Sequence, residues 1–325
     1  MIRALRLFLA VVFTLTATVA AAQSPHKTAM GFTPWPVDFN AAGLKRTYAF
    51  IREHANLVAH HFDGGIPWDP ALNATDLPQH LSRDWQFRRT NTPRGSQVFV
   101  AVTPLNFERN GLATAWTNKG DNQRLPRAWR GKALNDPAVK TAYVNYLRRV
   151  IAYFDPDYLA IGIEANIVIS NAPGLWNDYL ELHTHAYREI KRSHPSLSVF
   201  VTVQYEHLRG IEGDSKKNLR FQRPGVASLM QHSDLLALST YQYGTVHPNR
   251  MTTAFLKGLL QHATRLRFAF VVNWVAIDFD PGLKRLPRSV REIAKAWVHT
   301  GLQTAAGADK PALTVWDAYL RQSRP

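Results

Sequence analysis

The feature that most limits what this chain can become is its alternation of hydrophobic periods. Seven runs read as strands: 31–39, 57–63, 97–105, 158–166, 198–207, 235–243 and 268–278. Nearly all are separated by stretches of helical period, among them 43–54, 136–154, 175–193 and 251–266. Asp136-Pro137 is a helix start, with a capping residue followed by proline at the first helical position. Repeated strand–helix units predict a parallel sheet covered by helices.

Such a sheet can stay open or close into a barrel, and side-chain parity distinguishes the two. In 158–164, Leu159, Ile161 and Ile163 share one face, and Ala160, Gly162 and Glu164 the other. In the next run Val199, Val201 and Val203 alternate with Thr202, Gln204 and Glu206. In the sixth, Leu236 and Leu238 alternate with Ala237, Ser239 and Tyr241. Bulky aliphatics facing helices, with small or polar residues opposite that end in a polar group, fit the tapering interior of a TIM-type (β/α) barrel. A doubly wound sheet, buried on both faces, reads apolar throughout. The first strand also lacks a glycine-rich phosphate loop and runs instead through Pro34 and Pro36. The expected fold is therefore an α/β barrel with seven recognisable strands, one short of eight.

The N-terminus reads as an export signal. Arg3 and Arg6 precede an apolar run, 7–20, and Ala20-Ala21-Ala22 offers a small-residue cleavage site. The run is shorter than the about 20 residues a membrane span needs, so no stable membrane insertion is expected after cleavage. The expectation is a 1–22 signal peptide and one barrel domain over 23–325, secreted or periplasmic in a bacterium. The chain has no cysteine, which excludes disulfide scaffolds, thiol nucleophiles and cysteine-ligated metals. Its net charge of +15 suits an acidic partner such as nucleic acid, an anionic envelope surface or an acidic polysaccharide, but nothing localises it to one stripe and it reads as a solvated surface. Its basic residues are scattered, as in Arg88-Arg89 and Arg148-Arg149, with no long arm for nucleic acid, and no nucleic-acid partner is expected.

In a barrel, chemistry belongs at the C-terminal ends of the strands. Those ends carry Trp35 and Asp38; His60, His61 and Asp63; Asn106; Glu164 and Asn166; Gln204 and Glu206; Tyr241 and Tyr243; and Asn273, Trp274 and Asp278. No set among them has a convincing metal spacing, and neither a metal nor an organic cofactor is expected. Glu164 ends an apolar run, where lost solvation raises a carboxyl pKa and keeps it protonated, as a general acid requires. Alternatively it is a structural carboxylate bound by loop amides. Neighbours on a strand face opposite sides, so only one of His60 and His61 can point inward. Trp35 and Trp68 lie in Pro-Trp-Pro and Ile-Pro-Trp-Asp, loop settings that suit either a sugar platform or a plug. Tyr241 can donate to a carboxylate or pack in the core.

Six segments carry a resemblance. They are 31–36, GFTPWP; 60–68, HHFDGGIPW; 102–107, VTPLNF; 158–166, YLAIGIEAN; 238–241, LSTY; and 310–316, KPALTVW. In this order the chain resembles clan A glycoside hydrolase barrels, and more narrowly exported bacterial glycosyl hydrolase-like or arabinogalactan endo-galactanase-like proteins. The resemblance implies an eightfold barrel acting on β-linked polysaccharide, with two catalytic glutamates. The acid/base at the end of strand four maps onto Glu164. The strand-six tyrosine maps onto Tyr241 and the strand-eight tryptophan onto Trp274. Sugar is expected to meet Trp35, His61, Asp63, Trp68, Asn166, Tyr241 and Trp274. The sequence departs from the pattern in two places. Ile163 stands where the clan usually has asparagine, and no glutamate lies between Glu212 and Glu292, where the strand-seven nucleophile belongs. Either hydrolysis has been lost and sugar binding kept, or another carboxylate serves, Glu206 first and Asp278 second, or the chain is an inactive relative.

Overall fold

The computed structural model describes residues 27–211, 216–241, 251–286 and 288–323. The expected 1–22 signal and Tyr243 lie outside them. None of the described helices is long and apolar enough to cross a membrane.

Among the described residues nine strands form: β1 (Ala29–Phe32), β2 (Leu57–Phe62), β3 (Gln97–Val102), β4 (Ala115–Thr117), β5 (Gly120–Gln123), β6 (Tyr158–Ala160), β7 (Ser198–Gln204), β8 (Leu236–Ser239) and β9 (Phe270–Asn273). Seven of them make one sheet in the order β8-β7-β6-β3-β2-β1-β9, with every pairing parallel. Each begins where a sequence run begins, within two residues, and ends earlier, because the last residues of each run turn out of the ladder into site loops. The helices that carry the chain back include Ala41–His54, Pro137–Phe154, Trp176–Ser193 and Thr253–Arg265. Asn40 caps the first by accepting from Gly43 N at 2.8 Å, and Asp136 caps the second by accepting from Ala138 N at 2.8 Å. The expectation from Asp136-Pro137 holds.

The sheet curls into a half-barrel. Phe270 of β9 lies at one end of the strand order, yet its ring centroid is 6.0 Å from that of Phe200 on β7, near the other end. It also meets Phe99 of β3 at 5.0 Å and Tyr158 of β6 at 4.8 Å. Ala29, Ala59, Ala101 and Ala160 fill this interior layer together with Leu57 and Ile163. Ile163, which parity sets on the outer face with Leu159 and Ile161, comes inward because the chain leaves the strand after Ala160. Leu159, Ile161, Val199 and Val201 face outward into a second core under the helices, as parity predicts.

Parity misleads at β8. Leu236 and Leu238 point outward but are 55% and 47% exposed, so they do not meet a helix. Among the described residues no strand stands between β8 and β9, and β8 is an edge. Two unforeseen features extend the C-terminal end of the barrel. One is the antiparallel β4–β5 hairpin, tied back to the loop after β2 by Ile66 N to Thr114 O (2.9 Å) and Asn122 N to Gly64 O (2.6 Å). The other is the loop 103–112 after β3.

Packing is close just before Glu164. A Cβ at position 162 would stand 2.3 Å from the Tyr179 hydroxyl and 3.0 Å from a Val201 methyl. Gly162→Ala is expected to lower stability by about 1–3 kcal/mol through overpacking, read as a lower urea midpoint with unchanged slope.

Candidate active site

Past Ala160 the chain leaves regular pairing but stays tethered to β7. Ile161 N donates to Phe200 O (2.8 Å), Thr202 N to Gly162 O (2.9 Å) and Ala165 N to Thr202 O (3.0 Å). Between these ties Glu164 adopts a left-handed backbone, φ 51°, which costs a non-glycine residue about 1–3 kcal/mol. Its own N–H donates to Thr202 Oγ1 at 2.7 Å, which helps hold the turn. The turn aims the side chain into the mouth of the half-barrel.

There Glu164 Oε1 accepts from two hydroxyls, Ser239 Oγ and Tyr241 Oη, each at 2.7 Å. Glu164 Oε2 accepts no hydrogen bond and is not among the atoms sealed from solvent. Its partners are hydroxyls, not loop amides. Burial raises the Glu164 pKa; the Arg109 charge and the two hydroxyl bonds oppose the rise, and the Asp63 charge adds to it. A neutral carboxyl fits this geometry, with Oε1 as the double acceptor and the proton on Oε2.

Glu206 has a different task from the one expected of it. It lies in the first turn of the helix Tyr205–Arg209, beyond the end of β7. Its Oε1 accepts from Thr240 Oγ1 and from Tyr241 N, both at 2.8 Å, while Oε2 is sealed from solvent without a partner. A second catalytic carboxylate needs an accessible oxygen, so this one serves as a bracket that fixes the end of β8 and thereby the phenol on Glu164. Asp278 is engaged on one oxygen: Oδ1 accepts from Lys310 Nζ at 2.7 Å and Gly301 N at 3.0 Å, while Oδ2 lies 3.6 Å from His299 Nδ1.

Arg109 was not foreseen. It lies seven residues beyond β3 in an irregular loop, with left-handed φ of 55°, and no period or motif marks it. It is 2% exposed and forks onto Asp63, Nη1 to Oδ1 at 2.9 Å and Nη2 to Oδ2 at 2.7 Å. Asp63 is thus occupied by this guanidinium. Ser239 was placed on the inner face by parity but not in the site.

The two histidines part as predicted. His60 faces the helices, packing on Phe154 at 5.2 Å and bonding Thr92 Oγ1 at 3.0 Å. His61 faces the interior, edge-on to Trp274 at 5.1 Å. Burial, opposed by the Asp63 charge, pulls the His61 pKa down to about 4, so its ring is neutral at neutral pH. An aromatic wall continues from it. Trp274 meets Trp35 at 5.5 Å and Trp297 at 6.3 Å, and Trp297 meets Tyr241 at 6.0 Å. The indole N–H groups of Trp35 and Trp274 are sealed without acceptors. Trp297 sits in no strand-end run, which is why parity missed it.

Two expected sugar contacts are corrected. Trp68 is 1% exposed, donates to Ala113 O at 3.0 Å and stacks on Trp129 at 5.0 Å; it belongs to the core. Asn166 is wholly buried. It accepts from Gln204 N at 2.8 Å and donates to Gln222 Oε1 at 2.9 Å, stitching strand ends together.

No family model and no curated protein matches the sequence. Solved structures do. A GH5_18 protein from Streptomyces cattleya, in complex with GlcNAc, matches 93% of this chain and 81% of its own at 15% identity, with a TM-score of 0.61. The fold matches that of TIM-barrel glycosidases. An exo-β-1,4-mannosidase from an Opitutaceae bacterium matches 91% of this chain at 13% identity and a TM-score of 0.58, and this chain spans 60% of its length. Xylanase 10B from Thermotoga petrophila, in complex with xylobiose, matches 92% of this chain and 95% of its own at 10% identity, with a TM-score of 0.52.

A buried carboxyl with a raised pKa binds its proton more tightly folded than unfolded. Its contribution to stability is complete below the ordinary carboxyl range and is lost as pH rises through the raised value. Glu164→Gln removes that loss. The variant is expected to melt at higher temperature than the wild type at neutral pH, with the gap closing in acid, as read by calorimetry across pH.

Proposed function

We propose that this chain is a glycoside hydrolase acting on a β-linked oligo- or polysaccharide, with Glu164 as the acid that protonates the departing glycosidic oxygen. The observation that carries the reading is the split in the Glu164 carboxyl: Oε1 takes both hydroxyl bonds, and Oε2 is left open at the strand ends. Ser239 and Tyr241 hold the carboxyl in one orientation. They also stabilise the anion left once the proton has moved, since hydrogen bonds to the ionised form favour it. Trp35, His61, Trp274 and Tyr241 are the aromatic groups that take the sugar rings, and the charge of Arg109, paired with Asp63, favours the ionised acid. The fold shared with glycosidases supports the reading. Export to the periplasm or medium, proposed from residues 1–22, suits a polymeric substrate.

A second reading has an observation of its own. No glutamate lies between Glu212 and Glu292, and among the described residues no strand stands between β8 and β9. A barrel lacking the second catalytic carboxylate would bind sugar without cleaving it.

A screen on galactan, mannan, xylan and β-glucan oligosaccharides separates the two. The enzyme reading expects turnover that Glu164→Gln lowers by about 10²–10⁴-fold. It also expects the rate to fall as pH rises through the Glu164 pKa. Tyr241→Phe, which removes a bond favouring the ionised form, should move that alkaline limb to higher pH. Binding without turnover in both wild type and Glu164→Gln would support the sugar-binding reading.

A further inference from the structure

The loop after β3 has two sides. Arg109 on one side is forked onto Asp63, and its charge acts on Glu164. The other side, with the β4–β5 hairpin and the segment after it, walls a separate concavity of about 450 Å³. Both walls grow from C-terminal strand ends, so the concavity opens on the same end of the barrel as Glu164. Its lining includes Asn106, Phe107, Glu108, Asn122, Arg124 and Arg130.

Three features of this lining point to a ligand. Phe107 is 55% exposed, an aromatic face turned out of the core two residues from Arg109. Arg124 and Arg130 are exposed, and among the described residues neither guanidinium has a carboxylate within ion-pair distance. Arg130 is also oriented, because its Nε donates to Leu125 O at 2.9 Å and leaves the outer nitrogens free to point away. Glu108 is the one acid on the rim against two cations. An exposed ring with an amide and guanidinium forks is chemistry for a sugar that carries an anionic group: the ring takes the apolar face, the Asn122 amide takes a hydroxyl while that of Asn106 is held by Asn110, and the forks take the charge.

We propose that this concavity is a subsite for an anionic sugar residue, a uronate or a sulfate ester, on the glycan whose cleavage is assigned to Glu164. It rests on that assignment for the identity of the polymer only. The subsite makes the substrate an acidic, branched or mixed polysaccharide, and it gives part of the +15 charge a location.

The test titrates the Glu164→Gln protein by calorimetry with three β-linked oligosaccharides of equal length. One bears a glucuronic acid, one is its carboxyl-reduced neutral counterpart, and one bears a sulfate ester instead. At least one anionic sugar should bind about tenfold or more tighter than the neutral one, the order expected for charge-assisted hydrogen bonds. In an added Arg124→Gln/Arg130→Gln background that preference should vanish, and Phe107→Ala should weaken all three. Arg124→Gln/Arg130→Gln alone should leave hydrolysis of neutral glycan unchanged. Equal affinity for charged and neutral sugars, no binding of either anionic sugar, or a preference that survives loss of both arginines would each overturn the proposal. So would tighter binding of a short DNA duplex through the same arginines. Anionic preference without cleavage of any glycan by the wild type would remove the hydrolase assignment and leave the subsite standing.

Discussion

The site depends on how one carboxyl is buried. Glu164 sits where β6 has stopped pairing regularly, in a left-handed turn that only its ties to β7 sustain. Its charge is unwelcome there, and a guanidinium and two hydroxyls reduce the penalty without reversing it. Each of these supports is itself held. Glu206 grips the backbone of Tyr241 and the hydroxyl of Thr240, and Asp63 grips Arg109. The acid is therefore set by contacts from β7 and the end of β8, and by charges placed after β2 and β3. Removing one partner of the buried Asp63–Arg109 pair would leave the other uncompensated, which costs about 3–5 kcal/mol.

The barrel was legible because its logic is local. Period and parity follow from the backbone, so the seven strands, the inward Glu164, Ser239 and Tyr241, and the division between His60 and His61 could all be read from spacing. Tertiary placement was not legible. Trp68 lies in a proline-flanked segment that reads as loop, but that segment folds under the β4–β5 hairpin and is sealed by Trp129. Asn166 follows the acid by two residues, but the turn at Glu164 rotates it into the packing beside Gln222. Arg109 gains its role from a loop whose path no pattern specifies. Glu206 was given the right neighbourhood and the wrong task, because the strand ends two residues before it.

The open side of the sheet and the added loops pull function in different directions. At β8 the outward leucines are uncovered, and among the described residues no strand stands between β8 and β9. At β2 and β3 the chain has instead added material, the hairpin and the Arg109 loop, which supplies both a charge to the acid and a wall to a second concavity.

The protonation state of Glu164 can be observed directly. Infrared difference spectra between wild type and Glu164→Gln, recorded across pH, isolate the carbonyl stretch of this one carboxylic acid. The account predicts a protonated band that persists above the pH at which the ordinary carboxyls have ionised. A band that disappears together with theirs would mean that the site holds a carboxylate, with no proton to give.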